Sequence, residues 1–252
     1  MAGSIGKIEV YNDFLGIYDS VVWGATNLVS GDLGGFGFTS VNEGSFASTV
    51  DEPGGILAIT TDTADNDNAA LIAGKFKPAD GLMVFETRFK YSNVDTSIFV
   101  GFSETMALDT PVMPAEFATA TMTYNGTGGM VGIQYDVDGT TDDFRAVMGD
   151  GGVAVSGSGN GIRANATVTA DRWLTARVVM YPDTSAEVWL SDVGHVASNG
   201  LPYLRLVKKF AAGLTATDLF YAVLMTENRS GNARVLEVDY VNVEAGRDWL
   251  PT

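Results

Sequence analysis

Met83–Tyr91 reads MVFETRFKY, and the fold turns on how that stretch is read. Met83, Phe85, Thr87, Phe89 and Tyr91 alternate with Val84, Glu86, Arg88 and Lys90. A helix would scatter the two sets around its circumference. A β-strand sorts them onto opposite faces, one apolar and one largely charged. Working outward, SIFVGF at 97–102 places Ile98, Val100 and Phe102 on one side. Further strands are expected at 56–60, 119–124, 130–135, 144–148, 173–181, 186–191, 204–210, 219–226 and 235–244. Between them lie explicit turns. Asp138-Gly139 in DVDGTTDD is a hairpin signal, and Pro182-Asp183 joins two alternating runs. Helical periodicity is weak; MPAEFATA (113–120) and TATDLF (215–220) are the candidates for one or two very short helices.

Composition agrees with many strands and tight turns. The chain has 252 residues, 30 of them glycine, and 46% are hydrophobic, which argues against disorder. Net charge is −16, from 31 acids and 15 bases. That field repels phosphate backbones, so nucleic acid is not expected as a partner. There is no cysteine, which removes disulfides and thiolate chemistry. The opening MAGSIGKIEVYND lacks an apolar signal core, so no secretory signal is expected and the sequons at Asn125, Asn165 and Asn228 are read as incidental. The longest apolar run, 219–225, is too short to span a bilayer, and no membrane partner is expected. No linker divides the chain. The glycine-rich stretch 149–166 reads as a long loop within one sheet system. We expect residues 1–23 to be an N-terminal arm or first strand, 24–246 a single domain, and 247–252 a C-terminal tail.

LEVDYVNVE at 236–244 resembles the closing strand of concanavalin A-like jelly rolls, the fold of laminin-G-like lectin domains and many glucanases. WLTARVVMYPDTSAEVWLSDVG at 173–194 is similar to the paired central strands of the same families. YNDFLG, GGILAITTDTADNDNAALI and FKPADGLMVFETRFKYSNVDTSIFVGFSE in the N-terminal half resemble tailed-bacteriophage virion proteins with this fold. The resemblance spans roughly residues 12–244. It implies an all-β sandwich of two antiparallel sheets and a non-enzymatic capsid decoration (cement) protein on the capsid surface. The implied partners are the major capsid protein and further copies of the chain, as a homotrimer. A carbohydrate-binding lectin-like module on a phage tail or surface protein is the alternative reading, and a degenerate glycoside hydrolase the third.

Two acidic turns are the candidates for metal. Asp62, Asp65 and Asp67 offer three carboxylates, but no glycine permits a sharp wrap and no distal glutamate closes the set. Asp136 and Asp138, with Asp142 and Asp143, could surround an ion, yet Asp-Gly turn chemistry explains their spacing. Local side-chain to backbone hydrogen bonds are the simpler account of both turns. No cofactor is expected. Glucanases of the resembling fold carry Glu-x-Asp-x-x-Glu on one strand. Here Glu237 and Asp239 match and Asn242 stands at the acid/base position, so no catalysis is expected. Strict alternation would put Leu236, Val238 and Tyr240 on one face and Glu237, Asp239, Val241 and Val243 on the other. His195, the only histidine, lies in a polar loop without a nucleophile elbow. AGKFK at 73–77 lacks the rest of a phosphate loop.

Trp173 and Trp189 fall in strand patterns and are expected in the core. Phe14, Leu15, Ile17, Tyr18, Val21, Val22 and Trp23, with Trp249 and Leu250, make both ends unusually apolar. These are the candidate interface residues, meeting either the chain's own sheet or a partner.

Overall fold

The computed structural model describes residues 7–14, 23–24, 29–30, 36–40, 44–49, 55–106, 111–165, 168–191 and 203–247. In chain order the first strands are β1 (Lys7–Asn12), β2 (Trp23–Gly24), β3 (Val29–Ser30), β4 (Gly37–Ser40), β5 (Ser45–Ser48), β6 (Leu57–Thr60) and β7 (Asn68–Phe76). Next come β8 (Met83–Tyr91), β9 (Thr96–Ser103), β10 (Ala115–Ala118), β11 (Thr121–Tyr124), β12 (Met130–Asp136) and β13 (Arg145–Asp150). The last are β14 (Val153–Ala154), β15 (Ile162–Arg163), β16 (Leu174–Met180), β17 (Ala186–Leu190), β18 (Arg205–Phe210), β19 (Phe220–Asn228) and β20 (Val235–Gly246).

Two nine-stranded antiparallel sheets form a sandwich. The first runs β18-β17-β16-β8-β20-β6-β5-β2, with β1 beside the second half of β20. The second runs β14-β13-β12-β9-β19-β7-β4-β3, with β15 beside β13. Strand β8 sits centrally in the first sheet because its alternation suits a single buried face. Met83, Phe85, Thr87, Phe89 and Tyr91 point inward and Val84, Glu86, Arg88 and Lys90 outward. Against them pack the inward residues of the second sheet, including Ile98, Val100, Phe102 and Tyr135. Each fully buried phenylalanine there contributes about 1.5–3 kcal/mol relative to exposure.

The second sheet is buried on both faces. Its outward residues Ala70, Ile72, Phe99, Val147, Val223 and Met225 meet Met113, Phe117, Met122 and Tyr124 of the β10–β11 hairpin and the segment leading into it. The hairpin is thus a third layer. Gly149 makes room for it, since a Cβ there would lie 2.3 Å from the Tyr124 ring. The Tyr124 hydroxyl donates to the Gly159 carbonyl at 2.6 Å and pairs with Ser158 at 3.0 Å. The stretch 149–166 carries the short strands β14 and β15, which pair with β13.

Two expectations are corrected. Residues 115–118 form a strand, because Ala115 and Phe117 alternate with Glu116 and Ala118, and Thr119 (φ 65) turns the chain into β11. Around 215–218 there is only a turn, closed by Asp218 N–H donating to the Thr215 carbonyl. The single helical turn among the described residues is the 3₁₀ turn Pro78–Asp80, started by a proline whose fixed φ suits it. Strand β20 also departs from strict alternation. Its register against β8 shifts between Val238 and Tyr240. After that bulge Val241, Val243 and Ala245 point inward, and Tyr240 and Asn242 join Glu237 and Asp239 outside.

Candidate functional site

Two regions gather the residues that sequence reasoning singled out. The first lies at one end of the sandwich, where both acidic turns meet. Asn66 (φ 67) and the bond from Asp67 N–H to the Ala64 carbonyl close one turn, and Thr63 N–H donates to Asp62 Oδ1 at 2.7 Å. Asn228 holds this turn to β19 by donating to the carbonyls of Asp62 and Ala64. Asp65 is exposed and Asp67 is buried. In the other turn, buried Asp136 accepts from the backbone N–H groups of Phe117 and Asp138. Asp143 pairs with Arg163 at 2.8 Å.

Arg229 joins the two turns. Its guanidinium, 4% exposed, donates to Asn66 at 2.5 Å, Asp136 at 2.9 Å and Glu116 at 3.0 Å. It also lies 3.0 Å from Glu227 and 3.7 Å from Asp138. Burial pushes the Glu227 carboxyl up to about 7, with Arg229 pulling it down and Glu116 and Asp136 pushing it further up. Burial likewise raises Asp136 against the pull of Arg229. On Arg229 itself burial acts downward, but Glu227, Asp136 and Glu116 outweigh it and the net shift is upward. A buried cation therefore sits among these carboxylates. Among the described residues no three His, Cys, Asp or Glu side chains are placed to hold a metal ion. Arg229, Glu116 and Glu227 were missed from sequence. The one available signal was a lone arginine in the polar TENRSGN stretch after a strand.

The second region is the outer face of the first sheet. Glu237 pairs with Lys90 at 2.5 Å and Asp239 with Arg88 at 2.6 Å. Arg177 pairs with Glu86, Lys209 with Glu187 and Lys7 with Glu244. The carboxylates that match the hydrolase pattern are thus held in cross-strand ion pairs. Tyr240 lies beside them, its hydroxyl donating to Glu86 at 2.7 Å. Burial, then Glu86, drives its pKa up. Tyr11 on β1 stacks on the Tyr240 ring, centroids 6.3 Å apart, and is 56% exposed. Trp173 lies under Arg88 at 4.7 Å and Lys90 at 5.2 Å. Trp173 and Trp189 were expected in the core. Both are half-buried, and Trp189 faces outward because Ala186, Val188 and Leu190 take the inward positions of β17.

Of the candidate interface residues, Phe14 packs in this chain's own core at 1% exposed. Trp23 is described through its backbone, which pairs with Phe46. Leu15, Ile17, Tyr18, Val21, Val22, Trp249 and Leu250 lie outside the described residues, as does His195.

The architecture is a concanavalin A-like jelly-roll sandwich of two antiparallel sheets. It is similar to a protein of unknown function from Shewanella oneidensis, with TM-score 0.57 and 14% identity over 99% of this chain and 90% of that one. It is also similar to peanut lectin, with TM-score 0.54 and 12% identity over 94% of this chain and 97% of that one. The potassium-bound carbohydrate recognition domain of Emp46p gives TM-score 0.50 and 10% identity over 87% of this chain and 94% of that one. Identities this low show the fold alone. No protein-family model matches the chain, and no curated protein does.

Proposed function

We propose that this chain is a carbohydrate-binding, lectin-like module, and that its ligand lies on the outer face of the first sheet. The observation that carries the reading is the strip formed by Tyr11 stacked on Tyr240 and by Arg88 over Trp173. An exposed aromatic ring flanked by fixed hydrogen-bonding groups suits a sugar, which has apolar C–H faces and a polar rim. The lectins that share the fold support the choice of ligand class. The corresponding face of the second sheet is covered by its own hairpin.

Binding without hydrolysis fits the ion pairs. A nucleophile or general acid must be free to meet its substrate. Glu237 and Asp239 are instead engaged by Lys90 and Arg88, and Asn242 offers no carboxyl. The capsid-decoration reading rests on the N-terminal sequence resemblance, and the described residues add no particular support for it.

Immobilised glycans of varied composition, probed with the full chain, test the proposal. Retention is expected, with no released reducing sugar, and Tyr11→Ala should weaken it about tenfold. No retention on any glycan, together with binding to phage capsids, would favour the decoration role.

A further inference from the structure

The charge and extent of the same face identify a narrower ligand class, and this inference rests on the carbohydrate-binding reading. We infer that the ligand is a neutral, extended glycan chain lying across the strands, rather than a single sugar or an acidic polymer. Tyr11 stands on β1, Tyr240 on β20, Arg88 on β8 and Trp173 just before β16. Across the sheet those positions span three interstrand spacings, roughly 14 Å, and along it they are offset as well, since Tyr11 is level with Glu86 while Trp173 lies just past the position opposite Phe89. A sugar ring is about as wide as the tyrosine ring it stacks on, so one sugar covers only one end of the strip.

Charge decides the rest. Lys7, Arg88, Lys90, Arg177 and Lys209 are each paired with a carboxylate of the same face. No base in that set is left over for an acidic sugar, and the chain as a whole carries −16. An anionic polymer would meet long-range repulsion from the chain's net charge, against which exposed Arg172, beside Trp173, offers a single base. A neutral hydroxyl-rich chain avoids the repulsion. It can still accept from the Arg88 guanidinium and donate to Asp239, whose geometry their own ion pair fixes.

Calorimetry on the full chain tests this with oligomers of neutral glucan, mannan and galactan, the matching monosaccharides, and oligogalacturonate. Affinity should rise with length over the first few sugars and change less than about twofold as NaCl goes from about 50 to about 500 mM. Tyr11→Ala and Trp173→Ala should each reduce it about tenfold, and Tyr11→Phe should retain it. Preference for oligogalacturonate with marked salt dependence, or monosaccharides bound as tightly as oligomers, would overturn the inference and leave the lectin-like reading standing. Binding of no glycan at all would overturn both. Sedimentation showing a dimer that Tyr11→Ala dissolves would assign the face to a second copy instead.

Discussion

The outer faces of the two sheets solve one problem in opposite ways. The first sheet leaves its face in water, and its strands alternate apolar with polar to match. The second turns Phe99, Val147, Val223 and Met225 outward and covers them with the β10–β11 hairpin. Five of the nine methionines lie in that covered layer, where an unbranched, adaptable side chain fills the irregular gap between hairpin and sheet. Arg229 clasps the cover through Glu116 on β10 and Asp136 on β12. The difference teaches where specificity can reside. A face sealed by dry packing contributes stability, and an open face of fixed polar and aromatic groups is available to a ligand.

The comparison predicts unequal sensitivity to substitution. Phe99→Ala should cost about 3–5 kcal/mol, because Phe99 is fully enclosed between sheet and hairpin. Urea unfolding measures this; a loss under about 1 kcal/mol would mean that the cover is loosely packed. Arg229→Met should cost a similar 3–5 kcal/mol, since it leaves Asp136 and Glu227 buried without their cation. A neutral result would show that the clasp contributes little.

A smaller effect follows pH. Glu227 has a folded pKa of about 7, raised from 4.5. The folded state therefore binds more protons than the unfolded state between those values. This group's contribution to stability is present below pH 4.5 and is lost as pH rises through 7. Asp136, also raised, acts in the same direction. Glu227→Gln should flatten the decline in melting temperature between about pH 5 and 8. An unchanged pH profile would contradict the assignment to Glu227.

The smallest effects belong to the open face. Arg88→Ala and Asp239→Asn should each change stability by no more than about 1 kcal/mol, as exposed ion pairs do. A large loss from either in thermal unfolding would mean that this face, too, is structural.

The strands were legible because period-two alternation survives wherever one face is wet. MVFETRFKY is the clear case, and its inward set is the observed one. The third layer was not legible. Ala115 and Phe117 carry too short a pattern to separate strand from helix, and what covers Phe99 is set by a partner distant in sequence. The bulge at Asp239 has no local sequence signal, so the expected facing of Tyr240 and of Val241 and Val243 was reversed. The acidic turns were identified by Asp and Asn chemistry. Their meeting at Arg229 depends on the register of β19 against β7, which no short motif encodes. Tyr11 escaped notice as a site residue because its partner Tyr240 is over two hundred residues away.

Backbone and side-chain NMR shifts during titration with a neutral oligosaccharide test the central claim most directly. Perturbations confined to Tyr11, Tyr240, Arg88, Trp173 and their neighbours on the outer face of the first sheet are the predicted result. Perturbations centred on the Arg229 end of the sandwich or on the β10–β11 hairpin, with Tyr11 and Trp173 unmoved, would contradict it.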